Sequence, residues 1–202
     1  MNDEITTLDL IEFEQDIADE FNNGNIHAPV HLYSNNEHQI IEIFKKFDIN
    51  ENDWVFCTWR SHYQCLLKGV PSKILKKEIM EGRSISLNFP EYKVYSSAIV
   101  GGAIPIALGV ALSLVGKKGR VFCFLGDMAA ESGIFSESLK YSINMGLPIR
   151  FIIEDNELSV CTDTNIVWGK SKIKTEYPSD YVTYYKYKNK WPHAGAGKRV
   201  QF

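Results

Sequence analysis

The stretch FCFLGDMAAESGIFSESLKYSINMGLPIRFIIEDN, residues 122–156, decides the fold. It begins inside an apolar run, RVFCFL (120–125), that breaks at Gly126-Asp127. GIFSESLKYSINMG (133–146) then carries its apolar residues at helical spacing and ends on a glycine, a stop signal. PIRFIIED (148–155) is a second apolar run, opened by Pro148. Strand, helix and strand of these lengths spell a βαβ unit. A right-handed crossover lays strands 120–125 and 149–154 parallel, in or near neighbouring positions of one sheet. The expected fold class is α/β, a parallel sheet with helices on both faces.

The same unit places chemistry. The carboxyl ends of the two strands share one sheet edge, where open α/β sheets bind their ligands. Asp127 follows the first strand and Asn156 the second. A carboxylate with an amide oxygen is a poor set for zinc and a good one for a hard cation such as Mg²⁺, which completes its shell with phosphate oxygens and water. The N-terminus of helix 133–146 is expected to point at the same place and to favour an anion. The pattern equally fits a sheet in which Asp127 and Asn156 only cap turns.

Working outward, Leu10, Phe13, Ile17 and Phe21 have helical spacing before the stop signal Asn22-Asn23-Gly24. Residues 36–47 and 103–115 read as further helices, and DWVFCT (53–58) as a short buried strand. AIVGGAIPIALGVALSLVG (98–116) is uncharged and long enough to span a bilayer, but four glycines, Pro105 and the strand that follows suit a helix packed under a sheet. The 202 residues, 45% hydrophobic and 23% charged, fit a single domain, with a basic tail from about residue 170 to 202. That tail holds eight Lys/Arg against two Asp/Glu, whereas the net charge of the chain is −3, which argues against general nucleic-acid binding. Cys57, Cys65, Cys123 and Cys161 have no zinc or CxxC spacing, and the acidic MNDEITTLDL is unlike a signal peptide. A reduced, cytoplasmic protein off the membrane is the expectation.

The decisive stretch resembles the thiamine diphosphate fingerprint: Gly-Asp-Gly, then Asn-Asn after an apolar strand. It is most similar to the α subunit of the decarboxylating component of 2-oxo acid dehydrogenases. There the motif begins Gly-Asp-Gly-Ala-Ala and ends Glu-Asn-Asn, and the interval from Asp127 to Asn156, twenty-nine positions, agrees without a gap. IVGGAIPIALGVALS is similar to the family's Ile-Val-Gly-Ala-Gln-x-Pro helix, WRSHYQCLLKGV to its Tyr-Arg-x-His segment, and HLYSNNEH to its His-Leu-x-x-Gly-Gln-Glu-Ala. In order, these cover residues 31 to about 160. The resemblance implies a thiamine diphosphate-binding fold of the diphosphate-binding type. It implies Mg²⁺ on Asp127, Asn156 and the main-chain oxygen of Leu158. It puts the diphosphate near Arg60, Gly126, Met128 and Ala129, Trp59 beside the cofactor, and the backbone at Ala98 and Val100 against the aminopyrimidine. His31 and His62 would face the substrate, and His193 would stand for a later histidine that approaches the diphosphate. The plainer alternatives are a surface ion pair for Arg60, a polar loop residue for His62 and a structural histidine for His31.

Two departures bear on the site. Met128 replaces the second glycine, and Asp155 replaces the first asparagine. The chain also ends soon after the motif, which makes it a shortened member. The glutamate that activates the cofactor lies, in this family, on a β-type chain. The resemblance therefore implies an α-like subunit of a two-subunit enzyme acting on a 2-oxo acid or ketose, active only with its β-type partner, in an α₂β₂ hetero-oligomer. Split transketolase-like or carboligating chemistry and a degenerate cofactor-binding scaffold are the alternatives.

Overall fold

The computed structural model describes residues 5–168 and 177–197. In chain order the elements are helices α1 (Thr7–Asn22) and α2 (Glu37–Lys46), strand β1 (Trp54–Cys57), helices α3 (His62–Leu67) and α4 (Ser72–Met80), and strands β2 (Asn88–Phe89) and β3 (Val94–Ser96). Helix α5 (Ala103–Ser113), strand β4 (Val121–Gly126), helices α6 (Asp127–Ala130) and α7 (Gly133–Met145) and strand β5 (Ile149–Asp155) follow. A hairpin of β6 (Leu158–Ser159) and β7 (Thr162–Asp163), helix α8 (Thr164–Trp168) and strand β8 (Val182–Lys186) complete the order.

The main sheet runs β2-β3-β1-β4-β5-β8, parallel except for the antiparallel pair β2–β3. Strands β4 and β5 are direct neighbours in register from Val121 opposite Ile149 to Gly126 opposite Glu154. The continuous apolar runs exist because both faces are covered. Val55, Cys57, Phe122, Phe124 and Ile152 pack with helices α1 to α4, whereas Phe56, Cys123, Leu125, Phe151 and Ile153 pack with α5 and α7. Successive strand residues therefore serve opposite cores, as the period of two requires. Helix α7 starts where the Ser132 hydroxyl accepts from Phe135 N, and it ends at Gly146 with φ +58°. An αL residue closes a helix in this way, and glycine adopts it without steric cost.

Two expectations need correction. The helix N-terminus that meets the sheet edge belongs to α6, which begins at Asp127 itself; α7 starts six residues later and packs beside α5, with Ile134 against Gly101. The run DMAA forms an extra helical turn, capped by Gly126, whose backbone is extended where β4 ends. The basic segment is not merely a tail, since Val182–Lys186 adds a parallel strand to β5; residues 170–176 and 198–202 of it lie outside the described residues. Among the described residues no helix is long and apolar enough to cross a membrane, and all four cysteines are free.

Candidate functional site

Parallel pairing carries the ends of β1, β4 and β5 to one edge, and a cavity of about 190 Å³ opens there. The loop after β1 contributes Thr58, Trp59 and Arg60, the start of α6 Gly126 to Ala129, and the end of β5 Glu154 and Asn156. Leu158, Ser159 and Val160 of the β6–β7 hairpin, Val100, Tyr33 and Tyr187 complete the wall.

Asp127 is 9% exposed, and its Oδ2 accepts from the Thr164 hydroxyl at 2.5 Å. Burial pushes its carboxyl up to about 6; the Thr164 bond pulls it down and the Asp155 charge raises it again. The Asn156 amide oxygen accepts from Leu158 N at 3.2 Å in an Asx turn, which leaves a lone pair available. At Gly126 an added Cβ would meet nothing within 4 Å, so backbone borders open space there.

Arg60 is the cavity's cation. It is 9% exposed, and Nε donates to the Leu32 carbonyl (3.2 Å) and Nη2 reaches the His193 carbonyl (3.5 Å). Its partners among the described residues are these carbonyls and Tyr187, with no carboxylate. A buried guanidinium whose hydrogen bonds go to neutral groups, with no carboxylate bonded to it, suits an anionic ligand. Behind it, Glu154 accepts from the phenols of Tyr33 (2.7 Å) and Tyr185 (2.5 Å). Burial raises the Glu154 carboxyl to about 7, against the lowering effect of the two phenols and Arg60.

Of the residues singled out from the sequence, Trp59, Arg60, Val100, Gly126, Asp127, Met128, Ala129, Asn156 and Leu158 line this one cavity. His31 and His193 stand next to it, packed about Trp59, one tilted and one edge-on, with ring centroids 5.8 and 5.9 Å away. Ala98 lies on the exposed turn before Val100. His62 is not brought to the cavity. It is fully buried, with Nδ1 3.0 Å from Glu14 and Nε2 2.9 Å from Ser84, because α3 turns it into the core beneath α1. Sequence reasoning missed Tyr33, Tyr187 and the role of Glu154 in the wall. The one signal for Glu154 was a carboxylate ending an apolar strand.

A family model described as "Dehydrogenase E1 component" matches residues 6–179, which takes in every strand from β1 to β7 and every cavity-lining residue except Tyr187. The chain belongs to the dehydrogenase E1 component family. Among its relatives, the alpha subunit of acetoin:2,6-dichlorophenolindophenol oxidoreductase from Cupriavidus necator is 31% identical over 159 residues, covering 72% of this chain and 46% of that protein. Pyruvate dehydrogenase E1 component subunit alpha from Porphyra purpurea is 29% identical over 167 residues, 73% of this chain and 48% of its own. The Rickettsia typhi protein of the same name is 31% identical over 170 residues, 77% and 51%. This chain spans about half the length of these relatives.

Proposed function

We propose that this chain is an α-type subunit of a two-subunit, thiamine diphosphate-dependent enzyme that decarboxylates a 2-oxo acid and passes on the acyl or aldehyde unit. The observation that carries this reading is the convergence of Asp127, Asn156 and a buried Arg60 bonded only to neutral groups on one cavity at the carboxyl edge of a parallel sheet. The donor chemistry fits the groups implied. The Asp127 carboxylate, the Asn156 amide oxygen and the Leu158 main-chain oxygen are hard ligands that would hold Mg²⁺. Among the described residues no three His, Cys, Asp or Glu side chains form a metal cluster, which accords with an ion that takes few protein ligands and several phosphate oxygens. Arg60 and the main-chain N–H groups at the start of α6 would meet the diphosphate, and the open space at Gly126 admits its approach.

When bound, the cofactor supplies the electron sink for carbon–carbon cleavage. The protein's own residues anchor and shield it. Trp59 and Val100 offer apolar surface, and His31, held neutral by burial that lowers it to about 4, offers a ring nitrogen rather than a charge. A β-type partner would close the cavity and supply the carboxylate that faces the aminopyrimidine. Exposed apolar residues at the mouth support this: Ile99 is 73% exposed, and Val100, Leu158 and Val160 are each more than 40% exposed. Helix α5 is apolar around its whole circumference, yet Ile106 and Leu112 face outward, and such a helix is normally covered. An α₂β₂ assembly follows the symmetry habits of oligomers. The acetoin oxidoreductase relative keeps a 2-hydroxy ketone as a second candidate substrate.

The test combines light scattering after size exclusion with turnover of pyruvate, branched 2-oxo acids, acetoin and ketose donors, with and without a β-type chain. We expect turnover only for the mixture, dependent on thiamine diphosphate and Mg²⁺. Full turnover by the chain alone, or none with any β-type partner, would overturn the reading.

A further inference from the structure

The segment after β8 runs antiparallel to residues 30–36 and is joined to them along its length. Asn35 Nδ2 donates to the Lys188 carbonyl (2.8 Å), Lys190 N to Ser34 Oγ (2.7 Å), and Gly195 N to the Val30 carbonyl (2.8 Å). Between these points Asn189 grips the loop with both ends of its amide. Its Nδ2 donates to the Leu32 carbonyl (2.9 Å), and its Oδ1 accepts from the Ser34 hydroxyl (2.6 Å). Leu32 and Ser34 flank Tyr33 and follow His31, so the clamp holds the loop that carries both. The Leu32 carbonyl is also the acceptor for Arg60 Nε.

Farther along the strap, the His193 carbonyl lies 2.5 Å from His31 Nδ1. A carbonyl oxygen only accepts, so the proton of His31 is on Nδ1. Nε2 then carries the lone pair, and it makes no hydrogen bond within the described residues. The tautomer of a neutral imidazole is set by the bond that one of its nitrogens makes. Here that bond depends on where the strap lies. The strap has two anchors about His193: the Asn189 clamp on one side and Gly195 on the other. Gly195 has φ +77°, and an added Cβ would come within 2.9 Å of Phe21 Cε1, so the second anchor tolerates no side chain.

We propose that Asn189 is a positioning residue of this site: by clamping the strap to the 30–36 loop it keeps the His193 carbonyl on His31 Nδ1 and fixes His31 as the tautomer whose Nε2 is a proton acceptor. The use of that acceptor rests on the thiamine-type reading above; the lock itself does not. The charged or titratable groups that face the His31 ring are Arg60, His193 and His62; each adds to burial in keeping the ring neutral, and only the bond to the His193 carbonyl works against it.

The experiment uses the full chain with ¹⁵N-labelled histidine rings and follows ¹H–¹⁵N ring correlations against pH. Five histidines are present, and His31→Gln assigns the signal. In the native chain we expect His31 as the Nδ1–H tautomer, titrating near 4. Asn189→Ala is expected to give mixed tautomers, because the His193 carbonyl no longer stays on Nδ1. His62, bonded to Glu14 and Ser84, stays unchanged. Asn189→Asp, which keeps the acceptor and loses the donor, falls between. Gly195→Ala displaces the strap from its other anchor and moves His31 the same way, so the outcome does not hang on one variant. With a β-type partner, Asn189→Ala lowers kcat roughly ten- to a hundred-fold at nearly constant KM, the scale of a misplacement of about 1 Å. A native His31 in the Nε2–H form, or an unchanged tautomer in both Asn189→Ala and Gly195→Ala, overturns the proposal. A shifted tautomer in a chain that binds no thiamine diphosphate supports the lock and refutes the functional reading instead.

Discussion

Glu154→Gln is the substitution whose consequence follows most directly from the site. Glu154, the penultimate residue of β5, lies opposite Gly126, 5% exposed, with a phenol on each carboxylate oxygen. Burial lifts its carboxyl from 4.5 to about 7. The folded state therefore binds more protons than the unfolded chain across that window. The contribution to stability is fully present below about 4.5 and is lost as pH rises through about 7. At 1.36 kcal/mol per pKa unit the loss is about 3 kcal/mol. Glutamine cannot ionise, and the network can accommodate it. Its oxygen accepts from Tyr185, and its amide donates to Tyr33, whose own proton turns to the Arg60 carbonyl 3.1 Å away. Gln64 Nε2 still donates to the second lone pair of Tyr33.

The variant is thus expected within about 1 kcal/mol of the native chain at pH 4 and about 3 kcal/mol more stable by pH 8.5. Urea unfolding of both proteins at four pH values measures this. Every other titrating group cancels in the difference, provided the m-values agree. A difference that stays constant from pH 4 to 8.5, or a glutamine variant that is the less stable at high pH, would refute the reasoning.

Asp127→Ala and Asn156→Ala are each expected to abolish joint binding of Mg²⁺ and thiamine diphosphate in calorimetry with a β-type partner present, and unchanged affinity in both would sink the cation site. In the native protein the same titration should weaken as pH falls through about 6, because burial raises Asp127 and a proton then competes for its oxygen; a pH-independent affinity contradicts this. Met128→Gly removes the side chain that stands where a glycine is expected at the cavity floor, so it is expected to preserve or tighten cofactor binding despite a modest entropic cost. A large loss of affinity would mean that the methionine belongs to the pocket.

The sheet was legible because its central strands are buried on both faces and read as unbroken apolar runs; VFCFL and IRFIIED became β4 and β5 in the expected order. The cavity edge was legible for the same reason, since a crossover fixes which strand ends lie together. What the sequence hid was whatever local periodicity does not encode. Strands β2 and β3 are two and three residues long, too short to show alternation. Strand β8, VTYYK, lies in a stretch dominated by lysine and tyrosine and gains its place only from β5. His62 looked like a site residue because it follows Arg60 by two positions. At the N-terminus of α3, however, that spacing turns the two side chains to different surroundings, Arg60 to the cavity and His62 to Glu14 and Ser84. Asn35 was legible only in retrospect: it stands where the family has glycine and holds φ +64°, a conformation that asparagine tolerates better than most side chains.

The charge inventory of the cavity explains why its two implied ligands belong together. Arg60 faces Asp127 and Glu154 across the same small space, and Asp155 sits behind Asp127 with its own partners, Tyr184 and Lys186. An anion entering alone gains one guanidinium and meets the field of two carboxyls. Both carboxyls are already disfavoured in their charged form, as their raised pKa values record. A divalent cation entering alone finds one carboxylate, an amide and a carbonyl oxygen, too few to displace its water. On the proposed reading, a cation bound with the phosphate would neutralise Asp127, and the phosphate would in turn satisfy Arg60. Each ligand would remove the penalty that the other would face, so the reading predicts coupled affinities, by linkage equally so in both directions. Such coupling would depend on Asp127 and not on the identity of the substrate, which would make it a property of this half of the site.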